Sequence, residues 1–259
     1  MVTDQSTSVL HLRIDPMTMG DALTALDKML VTRRSDAVHF CNAWNAVLAE
    51  RDQDYAGTLN AGTLNLADGK SMVWSARLLG THREQERVTG TAFMVAACER
   101  RTSFHTRHFL YGGEPGVATD LADRLRSQCP GIEIVGAESP PYRQLAPAEE
   151  DELAERLARS GADLVWVGLG TPKQDLFIER FRRRVDVGAL LAVGAAFDFL
   201  AGRKAAAPSW MQRAGLEWAF RLVSEPRRLW RRYLIGNSVF LARFGMQLTR
   251  KFLHPPRRA

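Results

Sequence analysis

Short apolar runs alternate with amphipathic segments along most of the chain. Apolar, strand-like runs are predicted at residues 9–14, 37–41, 63–66, 107–111 and 132–135, and two further runs end at Gly168 and Gly194. Helical spacing of apolar positions covers residues 18–30, 42–51, 70–79, 115–128 and 148–159. Strands that alternate with helices in this way predict an α/β fold built on a parallel sheet with flanking helices.

The segment from residue 162 to residue 199 shows this pattern most clearly. Its two apolar runs, each followed by glycine, flank one polar helix. Ligands of open α/β sheets bind at the carboxyl ends of the strands. The polar side chains that follow these strands are therefore candidates for ligand contact: Thr171, Lys173, Gln174 and Asp198.

The composition changes after residue 200. Basic residues are frequent there, whereas only Glu217 and Glu225 are acidic, and many aromatic residues occur in the same segment. One helix is predicted at residues 209–223, and one or two more at residues 226–252. The sequence thus predicts an α/β core at residues 1–200 and a basic helical appendage at residues 201–259.

Three interpretations of this appendage are open: a solvated charged face, a nucleic-acid site, or a helical surface that lies on a membrane. No known nucleic-acid-binding motif is present. Basic and aromatic residues do occur together, as they do in helices that lie at a membrane surface. We therefore expect a membrane surface and no nucleic acid as a partner, although an apolar face of the appendage also suits packing against another subunit.

The composition as a whole is that of a folded protein with excess positive charge. The net charge is +6, which favours an anionic partner. Cys41, Cys98 and Cys129 form no zinc or redox motif, which is typical of reduced thiols in the cytoplasm. The N-terminus lacks a signal-peptide pattern, and the longest apolar run, residues 188–202, is too short to span a bilayer. We expect a cytoplasmic protein that contacts the membrane from its inner face.

Three turns carry candidate chemistry, each beside a simpler interpretation. Asp68 is either a carboxylate exposed at a strand end or a turn-former and helix cap. Gly112 and Gly113 either present free N–H groups to a phosphate or serve only the turn. Thr171 is either a ligand contact or the cap of the following helix.

Other chemistries lack their motifs. The chain has no Walker loop and no G-x-G-x-x-G fingerprint, which disfavours nucleotide kinases, ATPases and nucleotide-dependent oxidoreductases. The histidines show no metal-ligand spacing, so a catalytic metal is not expected. Asp52 and Asp54 form a D-x-D, but they lie among charged residues at a predicted helix end, which indicates a solvated surface.

Several ordered motifs resemble those of the WecG/TagA/CpsF family of bacterial glycosyltransferases. The matching segments are residues 65–69 (Asn-Leu-Ala-Asp-Gly), 86–90 (Glu-Arg-Val-Thr-Gly), 140–143 (Pro-Pro-Tyr-Arg), 167–174 (Val-Gly-Leu-Gly-Thr-Pro-Lys-Gln), 193–199 (Val-Gly-Ala-Ala-Phe-Asp-Phe), 215–218 (Gly-Leu-Glu-Trp) and 225–228 (Glu-Pro-Arg-Arg), with Arg221 and Leu222. The resemblance runs from about residue 10 to residue 240, which is nearly the whole chain.

The resemblance implies a Rossmann-like α/β fold and a membrane-associated, inverting glycosyltransferase. Such enzymes move a sugar, often N-acetylmannosamine, from a UDP-sugar to a sugar linked to a polyprenyl diphosphate. They are held to need neither a metal nor another cofactor. The alternative kept beside it is a non-catalytic nucleotide- or nucleic-acid-binding protein with a basic tail.

The resemblance also implies roles for individual residues. Asp68 matches the proposed general base, and Arg87, Gln174 and Asp198 match other residues of the family motifs. The counterparts of the arginines that complete the site from the C-terminal segment are Arg221, Arg228, Arg231 and Arg232.

One corner departs from the family pattern. Many members have Thr-x-Asn after the second strand, whereas this chain has Phe40, Cys41 and Asn42. Asn42 is retained as a substrate-binding candidate, and contacts at this corner are expected to differ.

Without a metal, the leaving diphosphate needs arginines or helix N-termini to accept its charge, and the tail arginines and the Gly112–Gly113 turn are candidates for that task.

Overall fold

A computed structural model of the protein describes residues 6–80, 84–100 and 105–253. Its strands are β1 (Thr7–Val9), β2 (Leu12–Ile14), β3 (Asp36–Cys41), β4 (Leu64–Ala67), β5 (Arg107–Gly112), β6 (Glu133–Glu138), β7 (Leu164–Gly168) and β8 (Ala189–Ala192). Strands β3 to β8 form one parallel sheet in the order β4-β3-β8-β7-β5-β6, while β1 and β2 form a separate antiparallel pair.

Helices flank the sheet. They are α1 (Met19–Thr32), α2 (Ala43–Arg51), α3 (Gln53–Asn60), α4 (Lys70–Leu78), α5 (Gly90–Glu99), α6 (Val117–Gln128), α7 (Pro147–Ser160), α8 (Lys173–Phe181), α9 (Ala196–Leu200), α10 (Ser209–Ala214), α11 (Glu217–Ser224), α12 (Pro226–Trp230) and α13 (Gly236–Leu253), with a π-helical segment at Arg231–Ile235 between α12 and α13. The α/β, Rossmann-like fold with helical C-terminal elements is therefore confirmed.

The strands are apolar because the central sheet is buried on both faces. On one face, α1, α5, α6 and α9 bury residues such as Phe93, Trp166 and Phe197. On the other face, α7 and α8 pack Leu153 and Phe181 against the sheet. Because the six strands are parallel, their carboxyl ends all lie along the same edge of the sheet. The loops that follow the strands can form a site at that edge.

A third apolar cluster joins the C-terminal helix to the core. Phe240 and Phe244 of α13 are buried with residues of α2, α3, α4 and the β1–β2 pair. Gly236 allows close contact here, because an added Cβ would lie 2.8 Å from the Trp44 ring. Helix α13 is thus part of a buried layer, so removing it would expose apolar core. The division at residue 200 stays a prediction.

The predicted single strand at residues 9–14 is wrong. Leu10 and His11 adopt positive φ angles of 49° and 66°, so the chain reverses and β1 pairs with β2. Two left-handed residues between short strands are typical of a tight hairpin. Asparagine or glycine usually marks such a turn, and neither stands here.

The predicted single helix at residues 209–223 is also wrong. Gly215 has a φ of 80° and ends α10, and α11 begins two residues later at Glu217. A left-handed glycine is a common helix terminator.

Helices α3, α5 and α9 have no counterpart among the predicted elements. Helix α5 is apolar on nearly all sides, so it lacks the alternation that marks a surface helix. Helix α3 follows α2 directly, with Asp52 ending one helix and capping the next through the N–H groups of Asp54 and Tyr55. The D-x-D therefore has a capping role on an exposed surface, as the sequence indicated.

The three cysteines are free thiols. Within the described ranges, none of the helices is both long and apolar enough to cross a membrane. The start of the chain, used for the signal-peptide prediction, and the basic residues Arg257 and Arg258 lie outside the described residues.

Candidate active site

A cleft of about 830 Å³ lies at the carboxyl ends of the parallel strands. All but two of the residues predicted to form the site line it: Asn42, Asp68, Arg87, Gly113, Thr171, Gln174, Asp198, Arg221, Arg228 and Arg232. The core supplies the floor through the loops after the strands, and α11, α12 and the π-helical segment supply one wall. Residues separated by as many as 190 positions thus meet around one cavity.

Asp68 follows β4 directly. Its N–H donates to the Cys41 carbonyl at 2.8 Å, which continues the β3–β4 pairing by one residue and directs the side chain beyond the sheet. The cap position of α4 is Gly69, with no side-chain hydrogen bond. The interpretation of Asp68 as a helix cap is therefore wrong.

The charges around Asp68 set its protonation. Burial raises the pKa of Asp68 to about 6, and the negative charge of Glu217 acts in the same direction. The positive charges of Arg87, Arg221 and Arg232 oppose this rise. A carboxylate with a pKa near neutrality is suited to accept a proton at physiological pH.

Two arginines of the appendage present buried nitrogen atoms next to this carboxylate. The Nε atoms of Arg221 and Arg232 are buried and have no hydrogen-bond partner among the described residues. The Arg221 guanidinium lies 5.2 Å from the centre of the Phe199 ring, and burial lowers the pKa of Arg232. Buried guanidinium groups with unused donors fit an anion such as a diphosphate, which accepts paired hydrogen bonds.

Arg87 reaches the cleft from the loop that precedes α5. Its Nη2 lies 3.2 Å from Glu217 Oε2, so an ion pair connects the core to the first turn of α11. Glu217 also lines the cleft. Sequence reasoning noted Glu217 as an acid of the tail and as part of a family motif but did not assign it to the site, because its partner lies 130 residues earlier in the chain.

A second set of ion pairs fastens the appendage to the core. Lys204 Nζ lies 2.8 Å from Asp198 Oδ2 and 3.2 Å from Glu225 Oε2. Glu225 in turn pairs with Arg228 at 2.7 Å. Asp198 is therefore held by a lysine that sequence reasoning did not place in the site, and Lys204 lines the same cleft.

Gln174 organises the strand ends. Its Oε1 accepts from the Gly170 N–H at 3.0 Å, and its Nε2 donates to the Ala192 carbonyl at 2.9 Å. The side chain thus ties the loop after β7 to the end of β8. Pro172 occupies the cap position of α8 without a side-chain hydrogen bond and follows a cis peptide bond, so the interpretation of Thr171 as the helix cap is wrong.

A buried polar network fixes α8 behind Gln174. The carboxylate of Asp175 accepts a hydrogen bond from the Tyr55 hydroxyl at 2.8 Å and lies 2.8 Å from His39 Nδ1. All three side chains are buried. They link α8 to α3 and β3 and hold the start of α8 in place.

Gly112 and Arg231 do not line the cleft. Gly112 allows β5 to approach β7, since an added Cβ would lie 2.5 Å from the Gly168 Cα. The exposed Arg231 guanidinium lies 5.2 Å from the Trp230 ring. The N–H of Gly113 donates to the Gly168 carbonyl at 3.0 Å, so the expectation that this N–H is free for a phosphate is wrong.

Asn42 stands where β3 passes into α2. Its Oδ1 accepts from the Trp44 N–H at 3.0 Å and caps the helix, so part of its polar capacity serves the fold. Phe40, one of the residues at the departure from the family pattern, also lines the cleft and packs 5.3 Å from the Phe93 ring. The wall of the cleft near Asn42 therefore includes an apolar surface.

Tyr142 also lines the cleft. Tyr142 is 97% exposed, and Lys173 Nζ lies 4.7 Å from the centre of its ring. Sequence reasoning used Tyr142 only as part of a family motif and did not assign it to the site. An exposed ring on a cleft wall offers a stacking surface for a planar or sugar group.

Comparison with known proteins agrees with this geometry. The model of the Glycosyl transferase WecG/TagA/CpsF family matches residues 7–253. The chain belongs to this family of glycosyltransferases. This settles the resemblance drawn from the motifs, and it makes the cleft with Asp68 the candidate active site.

Two relatives carry the same printed description, N-acetylglucosaminyldiphosphoundecaprenol N-acetyl-beta-D-mannosaminyltransferase. The protein from Bacillus subtilis (strain 168) is 32% identical over 231 residues, which cover 89% of this chain and 88% of the relative. The protein from Bacillus spizizenii (strain W23) is 31% identical over 186 residues, which cover 72% and 70% respectively.

Proposed function

We propose that this protein transfers N-acetylmannosamine from UDP-N-acetylmannosamine to N-acetylglucosamine on a polyprenyl diphosphate, with inversion and without a metal. The observation that carries the proposal is the pairing of Asp68, whose pKa is raised to about 6, with a wall of arginines in one cleft. The descriptions of the two Bacillus relatives supply the sugar and the acceptor.

Asp68 has the role of general base. Inversion requires the acceptor hydroxyl to attack the anomeric carbon from the face opposite UDP. As the new carbon–oxygen bond forms, the hydroxyl proton passes to Asp68 and the bond from the anomeric carbon to UDP breaks. UDP leaves with the bonding electron pair, so atoms and charge balance without a redox partner.

The arginines take up the charge of the leaving group. Negative charge grows on the diphosphate as its bond to the sugar breaks, and preorganised donors stabilise that charge most in a site with little water. The unused Nε donors of Arg221 and Arg232 are buried at the cleft wall, and Arg228 lines the same wall. These residues perform the task that a divalent cation performs in other transferases.

We assign the nucleoside of the donor to the part of the cleft that Tyr142 lines. Tyr142 offers an exposed ring there, and the loop after β7 lines the same cleft. In this orientation the diphosphate crosses the strand ends and the sugar reaches Asp68. Thr171, Gln174 and Asn42 then line the path of the donor.

We assign to the appendage a contact with the membrane surface, where the acceptor lipid lies. Its exposed apolar side chains are Trp210, Leu216, Trp218, Val223, Trp230, Leu234, Ile235, Leu241, Met246, Phe252 and Leu253. Trp74 and Leu78 of α4 are exposed as well, and α4 contacts the appendage through the hydrogen bond from Lys70 to the Arg213 carbonyl. Apolar side chains among arginines suit the boundary of an anionic membrane. The side facing the cytoplasm is the one we propose.

The test is UDP release from a panel of UDP-sugars, each mixed with a detergent-solubilised polyprenyl-diphosphate N-acetylglucosamine. We expect release with UDP-N-acetylmannosamine that depends on the acceptor and is unchanged by EDTA. Release with a different sugar would correct the donor, and loss of activity in EDTA would refute the metal-independent mechanism. Absence of release from every donor by the folded protein would refute the proposed reaction and favour a binding role.

A further inference from the structure

The binding of an anionic substrate does not explain why Glu217 lies in the cleft. It opens α11 one helical turn before Arg221, so both side chains reach the same cleft from one face of the helix. A carboxylate among arginines works against the binding of an anionic substrate. Glu217 must therefore have a role in the site other than binding the substrate.

The contacts of Glu217 show what it can control. Its Oε2 lies 3.2 Å from Arg87 Nη2, and it faces Asp68 together with that arginine. The charged groups around Asp68 are Glu217 and Arg221 on α11, Arg232 on the π-helical segment, and Arg87 on the loop before α5. The Cys41 thiol lies on the neighbouring strand and also interacts with Asp68. Glu217 is the acidic member of this set besides Asp68 itself.

Arginines alone would make Asp68 a poor base. Positive charge within a few ångströms favours the ionised form of a carboxylate and reduces its affinity for a proton. Burial opposes the arginines and is the main cause of the raised pKa of Asp68, and a second negative charge in the site raises that pKa further. Glu217 supplies that charge while it holds Arg87 at the cleft.

We propose that Glu217 is a positioning residue of the transfer reaction, which orients Arg87 and balances the arginines so that Asp68 can accept the proton of the acceptor hydroxyl. This inference rests on the proposed function. It names a side chain that allows one cleft to contain both arginines for the diphosphate and a carboxylate that accepts a proton.

Anchoring of the appendage does not account for Glu217. The side chains of Arg87 and Glu217 are 23% and 33% exposed, and ion pairs of that kind contribute little to stability. Other contacts already hold the appendage to the core: the pair of Lys204 with Asp198, and the burial of Phe240 and Phe244. Loss of the Glu217 charge should therefore leave the fold intact.

The experiment titrates Asp68 directly in the full chain. Aspartate labelled with carbon-13 at the carboxyl is followed by NMR, and Asp68→Asn assigns the signal. We expect a midpoint of about 6 in the native protein. In Glu217→Gln, whose amide oxygen can still accept from Arg87, we expect the midpoint to fall by about one pH unit.

Three further variants complete the titration. Glu217→Ala removes the same charge and must shift the midpoint in the same direction, while Glu217→Asp keeps the charge and must stay close to the native value. Glu155→Gln changes the net charge equally on the exposed side of α7, where the Glu155 side chain is 71% exposed, and must leave the midpoint unchanged. An unchanged midpoint in folded Glu217→Gln and Glu217→Ala would overturn the proposal.

The kinetic readout separates this role from a structural one. In Glu217→Gln the acidic limb of the kcat profile should move to lower pH with the titration, and kcat on the alkaline plateau should fall because the base is weaker. KM for the acceptor should not rise, since a negative charge has been removed. A fall in kcat at every pH with no shift of the limb would indicate only a structural role. Absence of turnover in the native protein would refute the proposed function, while the NMR titration would still decide the role of Glu217.

Discussion

Replacing Asp68 by asparagine should stabilise the fold while it abolishes most of the turnover. The pKa of Asp68 lies about two units above its ordinary value of 3.8. One unit corresponds to about 1.4 kcal/mol, so ionised Asp68 costs the folded state at most about 3 kcal/mol. Water in the cleft screens the charge and reduces that cost. Asparagine has the same shape and removes the charge.

The sign of the effect depends on pH. Because the folded-state pKa is raised, the cost is absent below a pH of about 4, where Asp68 is protonated whether the chain is folded or not. It is fully present above a pH of about 6. We therefore expect Asp68→Asn to be more stable than the native protein by about 1–3 kcal/mol at neutral pH, and equally stable near pH 4.

Urea unfolding at pH 4 and pH 7.5 measures this difference, and calorimetry with UDP shows whether the cleft still binds. Turnover should fall by about a hundredfold or more, since the proton acceptor is lost. Asp123→Asn is the matched control, because the Asp123 side chain is 69% exposed on α6. It should change stability by less than about 0.5 kcal/mol. Lower stability of Asp68→Asn at pH 7.5, or undiminished turnover, would refute the reasoning.

Three other outcomes are expected. Arg232→Gln should lower kcat by about a hundredfold with a smaller change in KM, because its buried guanidinium stabilises the leaving diphosphate; an equal effect on binding and turnover in steady-state assays would contradict this. Tyr142→Ala should weaken UDP binding by about tenfold in calorimetry with little change in kcat, and unchanged affinity would remove the ring from the nucleoside site. The double variant Leu234→Ser and Ile235→Ser should no longer sediment with anionic vesicles, whereas Val31→Ser, an exposed apolar residue of α1, should sediment normally; retained binding by the double variant would place the membrane contact elsewhere.

The sequence predicted the sheet because buried parallel strands require unbroken apolar runs. Strands β7 and β8 are such runs, and the polar residues after them do reach the cleft. The β1–β2 hairpin escaped prediction because its turn uses Leu10 and His11 instead of residues that favour positive φ. The break at Gly215 escaped because apolar spacing continues across it.

The candidate site was predicted through local motifs, and its electrostatics required the fold. Asp68, Arg87 and Gln174 each stand in a recognisable segment of the chain. The pairing of Arg87 with Glu217, and of Lys204 with Glu225, depends on how the C-terminal helices fold back over the cleft. No spacing in the sequence encodes those contacts.

The same distinction applies to Gly112 and Gly113. Their position between a strand and a helix is typical of phosphate-binding turns. Close approach of β5 to β7 requires Gly112, and the Gly113 N–H is used by the Gly168 carbonyl. The two glycines therefore serve the packing of β5 against β7, although their position in the sequence indicated ligand binding.

The most direct test of the account is mass spectrometry of the lipid product. The full chain is incubated with UDP-N-acetylmannosamine and polyprenyl-diphosphate N-acetylglucosamine in EDTA, with the Bacillus subtilis relative as a positive control for the assay. We expect the mass of the acceptor to increase by one N-acetylhexosamine, and we expect almost no such product from Asp68→Asn. An acceptor left unmodified by this protein, while the relative extends it, would contradict the central claim.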